Sequence, residues 1–214
     1  MSFRTPARVK KTLVFSLLIS VPMGICIDII AAFNNSWFVP VTVFPFRLFG
    51  TVALEDLIWG FFFIYSPVIF YEHFLDKGKH RLSDRWVKYL AWPVIALVLI
   101  FITVYFSSPE LLVIPYSYFW LGVIFFLLPS VTFLSFFPRL LSKYVKTASY
   151  FFFLALLFEL TGLQLKQWTF PGGNFIGWID LSGFRFPFEE FLFWFILGAI
   201  GILSYFEFFA DDRK

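Results

Sequence analysis

Charge, cysteine and histidine are all scarce in this 214-residue chain, and each scarcity closes off a class of function. Only 14% of residues are Asp, Glu, Lys or Arg, against about 25% in a soluble domain, so the chain reads as an integral membrane protein. The single cysteine, Cys26, has no partner for an internal disulfide, and two histidines cannot complete a Cys/His metal set. His73 and His80 fall in or beside a basic loop and read as solvated. No Gly-rich phosphate loop or dinucleotide fingerprint occurs, so no cofactor is expected. A net charge of only +3 carries no signature of nucleic-acid binding.

Apolar side chains are what the chain has instead: 60% of residues, with 35 phenylalanines. Runs of about 20 apolar residues, the length of a membrane span, fall near 11–33, 54–75, 87–106, 116–137, 147–165 and 187–210. The expected fold is therefore all-α and polytopic, with six transmembrane helices. The run 11–33 follows a basic N-terminus but is too long for a signal peptide, and Asp28 interrupts it; it is read as a retained helix. The fifth run is the shortest and carries Glu159.

Lys and Arg fix the expected orientation. Arg4, Arg8, Lys10 and Lys11 precede the first helix, and Lys77, Lys79, Arg81, Arg85 and Lys88 follow the second. Arg139, Lys143 and Lys146 follow the fourth, and Arg213 and Lys214 end the chain. Fourteen of the 17 basic residues thus share one side of a six-helix arrangement, leaving Arg47, Lys166 and Arg185 on the other. Both termini are expected in the cytoplasm and the protein in the cell membrane.

One acidic pattern occurs twice. Asp28 is followed by Trp37 at nine residues, Pro40 at twelve and Glu55-Asp56 at twenty-seven. Glu159 is followed by Trp168 at nine, Pro171 at twelve and Glu189-Glu190 at thirty. Both acids lie about five residues inside a helix end, roughly 7–8 Å deep, and each acidic pair opens a helix. The two occurrences lie four helices apart, in the first and the fifth, so they point the same way. The chain reads as two parallel tandem repeats, 1–107 and 108–214, sharing a site at the extracytoplasmic end. Carboxylates in lipid need a partner, a cavity or a task. Capping by the helix dipole is one use for the pairs, and interfacial anchoring is one for Trp37, Trp168 and Trp178. Six acids against three bases implies that some carboxyls are protonated. A neutral carboxylic acid in an aromatic pocket can protonate an alkene. Glu72 and Glu207, near the opposite helix ends, read as solvated.

The residues Phe158-Glu159-Leu160, Gln167-Trp168-Thr169-Phe170-Pro171, Ile176-Gly177-Trp178 and Arg185 to Trp194, with Pro187, Glu189 and Glu190, resemble the lycopene cyclase domain. This is the small membrane type found as two subunits or a tandem fusion. Residues 148–210 resemble it closely and 22–76 more loosely, with Ala53 where the motif has proline. The resemblance implies acid-initiated closure of the open ends of lycopene into rings, with no cofactor. Glu189 would be the proton donor, with Glu190 and Glu159 tuning it or acting as base. Glu55, Asp56 and Asp28 would form the matching set. Trp37, Trp59, Trp168, Trp178, Phe193 and Trp194 would wall the pocket around the polyene. Expected partners are that lipophilic substrate and membrane lipid, with a second copy or partner subunit left open. A carotenoid hydratase and a proton-coupled transporter or binding protein are the rival readings. No lysine lies mid-helix to form a retinal Schiff base.

Overall fold

A computed structural model describes residues 6–76 and 84–210. Arg4, Lys77, Lys79, His80, Arg81, Arg213 and Lys214 therefore lie outside the described residues, as do the side chains of Arg8, Arg85 and Lys88. The chain is mostly helical. Its elements run α1 (Pro6–Phe33), β1 (Arg47–Leu48), β2 (Val52–Ala53), α2 (Leu54–Phe70) and α3 (Asp84–Ser107). After these come α4 (Ser117–Gly122), α5 (Leu128–Phe136), α6 (Leu141–Gln164), β3 (Trp178–Leu181), β4 (Phe184–Pro187) and α7 (Gly198–Ala210). Among the described residues three π-helical segments widen the rods: Tyr71–Asp76 after α2, Val123–Leu127 between α4 and α5, and Glu190–Leu197 leading into α7.

Among the described residues, five helical stretches are long and apolar enough to cross a membrane: Val9–Phe33, Leu54–Asp76, Ser117–Phe136, Pro138–Gln164 and Glu190–Phe209. The sixth expected span is α3, whose described apolar stretch, Trp92–Ser107, is shorter. Its outer face carries Trp92, Leu97, Leu99, Ile100 and Phe106, all exposed, as a lipid-facing surface would be. The phenylalanines divide between two uses. Phe62, Phe106, Phe136 and Phe153 face outward, whereas Phe15, Phe186, Phe193 and Phe206 are buried.

Several expectations at the basic end are corrected. The fifth helix is not the shortest, because α6 starts at Leu141 and runs 24 residues. Lys143 and Lys146 lie in its first turns; Lys143 is kept there by an ion pair to buried Asp76 at 2.7 Å. Lys10 and Lys11 likewise belong to α1 and do not precede it, and Lys11 is buried against the Phe206 ring. Glu72 and Glu207 are not solvated either, at 0% and 2% exposure. A π turn advances the chain by a different angle from an α turn. Tyr71–Asp76 uses that wider turn, and Tyr71, Glu72 and Asp76 are all buried. The Tyr71 hydroxyl donates to the Glu207 carboxylate. Around these groups packs an apolar core of Phe15, Val68, Phe133, Tyr144, Leu203 and Phe206.

Candidate functional site

At the opposite end of the bundle, each acidic pattern is built into the same local architecture. The helix carrying the first acid stops in a left-handed residue, Asn35 (φ 53°) after α1 and Lys166 (φ 56°) after α6. The chain then returns through a loop and a two-stranded antiparallel hairpin, β1–β2 or β3–β4, whose last residue precedes the next helix. Tight hairpin turns require positive φ, which glycine supplies without steric cost; Gly50 (φ 74°) and Gly183 (φ 82°) occupy those positions. The first hairpin spans Arg47 to Ala53 and the second Trp178 to Pro187. Their different lengths account for the spacings of twenty-seven and thirty residues between the acids. Ala53 and Pro187 hold equivalent places, pairing with the first residue of their hairpins.

The first acid of each pattern is bonded to the tryptophan nine residues on. Trp168 donates its indole N–H to Glu159, 3.2 Å from Oε1 and 3.1 Å from Oε2. Trp37 makes the corresponding side-chain hydrogen bond to Asp28. Both indoles thus close back onto their own helix. Gly162 makes room for one of them: a Cβ there would lie 1.9 Å from the Trp168 ring. This is a different use from interfacial anchoring, and it deals with the problem of a carboxyl inside lipid.

The opening residue of each acidic pair holds its loop. Glu55 Oε1 accepts the backbone N–H groups of Val43 and Phe44, the latter at 3.0 Å. Glu189 Oε1 accepts the Ile176 N–H at 2.7 Å. In both, the second oxygen is buried without a hydrogen-bond partner, as is Asp28 Oδ2. The following residues, Asp56 and Glu190, sit deeper along the helix. Asp56 is close enough to Asp28 for the two carboxyls to repel, and Glu190 is 8% exposed. Burial separates the two sets. Glu159, Glu189 and Glu190 are all buried, whereas Asp28, Glu55 and Asp56 are half-buried.

Cations do little to neutralise these acids. Among the described residues none of the six is in a salt bridge. Arg47, the positive neighbour of Glu55 and Asp56, directs its guanidinium to the carbonyls of Thr51 (3.0 Å) and Val39. Arg185 lies over the Trp178 ring at 4.8 Å and 3.9 Å from exposed Asp180.

Aromatic rings join the two acid–indole pairs. Trp168 stacks on Phe158 (5.1 Å between centroids), Phe158 on Trp59 (6.1 Å), Trp59 against Trp194 (5.5 Å) and Trp194 against Trp37 (6.4 Å). Four of the six tryptophan and phenylalanine residues expected around the site belong to this row. Trp194 is the member next to Trp37, with its ring N–H buried and unpartnered. Trp178 connects more distantly, through Phe175 (4.9 Å) and Tyr118, which contacts Trp37 at 5.2 Å. Phe193 is fully buried on Gly122 and outside the row. Phe158, Tyr118 and Phe63, which also meets Trp194 at 5.3 Å, were missed by the sequence reading. Phe158 could have been found, since it adjoins Glu159.

An open cavity of about 440 Å³ adjoins this junction, lined by Tyr116, Phe119, Trp120, Phe175 and Ile176. No carboxyl lines it. Ile176 nevertheless belongs both to its wall and, through its N–H, to Glu189. Among the described residues no group of His, Cys, Asp and Glu is arranged to hold a metal ion. Comparison of the chain with family models, with curated proteins and with solved structures gives no match. The chemistry of the site has to be argued from its own residues.

Proposed function

We propose that the chain is a cofactor-independent carotenoid cyclase of the cell membrane, closing the linear ends of lycopene into rings. It would be built from two parallel tandem repeats, 1–107 and 108–214, with both termini in the cytoplasm. The observation that carries this reading is the aromatic row between the two acid–indole pairs, one acid buried and the other half-buried. It supplies what a carbocation reaction needs: proton-bearing groups, cation-stabilising faces and little water. Each aromatic face is worth about 0.5–2 kcal/mol to a cation, and excluding water prevents its premature capture.

In this reading Glu189 is the acid. Its Oε1 is taken by the Ile176 N–H, which leaves the buried Oε2 to carry the transferable proton. Protonation of the terminal alkene forms a C–H bond and leaves a tertiary cation. The internal double bond attacks that cation, closing the six-membered ring and moving the charge into it. Loss of a ring proton to a second carboxyl restores a double bond, so the product is an isomer of the substrate. Glu159, beside the Trp168 N–H, is the proposed acceptor, and Glu190 adjoins the donor in sequence. The half-buried set Asp28, Glu55 and Asp56 would serve the same roles in the other repeat. The open cavity beside Ile176 is suited to an end group, the rest of the polyene lying in lipid.

The test is production of the full chain in a bacterium that accumulates lycopene. Monocyclic or bicyclic carotene is the expected product. Unchanged lycopene beside folded, inserted protein would overturn the proposal, and a polar hydrated end group would reassign it to a hydratase.

A further inference from the structure

On α1, Thr12, Ser16, Ser20, Gly24 and Asp28 follow one another at four-residue intervals. Such positions form a ridge inclined to the helix axis. The three hydroxyls are 0%, 0% and 3% exposed, and none has a hydrogen-bond partner. That is unusual for this protein. Thr103, Ser130, Thr147, Thr161 and Ser204 each donate to the carbonyl four residues earlier, at 2.6–3.1 Å, the ordinary way a helical hydroxyl is satisfied. Thr12, Ser16 and Ser20 make no such bond, and their oxygens are buried without a partner. The ridge ends at Asp28, whose Oδ2 is also buried and unpartnered.

A burial pattern of this kind costs free energy unless water fills it, because each orphaned polar group forfeits its hydration. Successive positions are about 6 Å apart along the helix, close to two hydrogen-bond lengths, so one water can bridge each pair. The ridge starts beside Lys11, and Lys11 and Phe15 both contact Phe206 on α7, next to Glu207. The equivalent row on α6 is Lys143, Thr147, Phe151, Ala155 and Glu159. There Thr147 is bonded to its own helix, and Phe151 and Ala155 offer no polar atom.

We propose that the α1 ridge is a file of water sites that carries protons between the Lys11 end of the bundle and Asp28. A proton moves along it by exchange between neighbouring waters and hydroxyls, leaving each carrier unchanged, and ends on or departs from the Asp28 carboxyl. One apolar atom stands in the way: the Leu57 Cδ2 methyl lies 3.2 Å from where a Gly24 Cβ would be. Leu57 is therefore the gate between Ser20 and Asp28, and the path serves one acid set and not the other. The inference does not depend on the identity of the substrate.

The experiment is infrared spectroscopy of the full chain in lipid vesicles transferred to ²H₂O, with Asp28→Asn identifying the Asp28 carboxyl band. Thr12→Val keeps the native shape and removes only the hydroxyl; Ser16→Val is compared with Ser16→Thr, which has the same bulk and an oxygen. Hydrogen exchange at Asp28 should slow about tenfold in Thr12→Val and Ser16→Val, the rate equivalent of one lost hydrogen bond. It should be little changed in Ser16→Thr and Thr147→Val, and faster in Leu57→Ala. Equal exchange in Thr12→Val and the unaltered protein, or no carboxyl band lost in Asp28→Asn, would overturn the proposal.

Discussion

Phe38 and Thr169, 131 residues apart, exchange both of their backbone hydrogen bonds, at 2.9 and 2.8 Å. Each stands ten residues after the first acid of its pattern and one after its tryptophan. The two loops thus meet through equivalent residues, which is the geometry of a local two-fold axis, and the acids of both patterns are held at one end of the bundle.

That meeting is close enough to be tested with adjacent glycines. A Cβ on Gly172 would lie 2.6 Å from the Asn35 carbonyl oxygen, whereas one on Gly173 meets nothing within 4 Å. Gly172→Ala should destabilise the protein by about 1–3 kcal/mol, the usual cost of overpacking. Gly173→Ala should leave the thermal unfolding midpoint in detergent unchanged. Equal midpoints would mean that the loops do not touch as described.

Removing the indole donor without removing the ring isolates its hydrogen bond. Trp168→Phe leaves buried Glu159 without a donor, at a cost of about 1–3 kcal/mol. Trp37→Phe should cost less, because Asp28 is only half-buried. Paired unfolding curves in detergent check the order, which the reverse ranking would contradict.

Glu189→Gln separates loop-holding from proton donation. The amide oxygen can still accept the Ile176 N–H, so folding and insertion should survive. Conversion of lycopene should fall by about 10²–10⁴-fold, the range of general acid catalysis. Pigment extraction from lycopene-accumulating cells gives the readout; undiminished conversion would remove Glu189 from the donor role.

The opposite end makes its own prediction. Tyr71→Phe deletes the hydroxyl that donates to Glu207 between two buried side chains and should cost about 1–3 kcal/mol. Tyr150→Phe is the contrast, since Tyr150 is 50% exposed and only stacks its ring on Phe70. Its unfolding midpoint should not move.

Most helix ends were legible in the sequence because lipid demands long apolar runs: α1 ends at Phe33 and α2 begins at Leu54, as the runs imply. The recurring acid-to-tryptophan spacing of nine was also legible, although its physical meaning, an indole folded back on its helix, was not. The hairpins were missed because strands as short as Arg47–Leu48 and Val52–Ala53 offer no alternation to read. Glu72 and Glu207 were misplaced for a related reason. Nearness to a helix end is visible in a sequence, but the turn of the π segment that brings Glu72 into the interior is not. Lys143 was assigned to a loop because its buried partner, Asp76, lies 67 residues away.

The ion pair between Lys143 and Asp76 has a mechanical consequence when set beside the Phe38–Thr169 bridge. One rivets α6 to the end of the α2 rod, and the other rivets the first loop to the second. Between these two fastenings α2 and α6 have the most freedom to part. Were the proposed polyene the substrate, its way in would be sideways from the hydrocarbon layer, between these two helices.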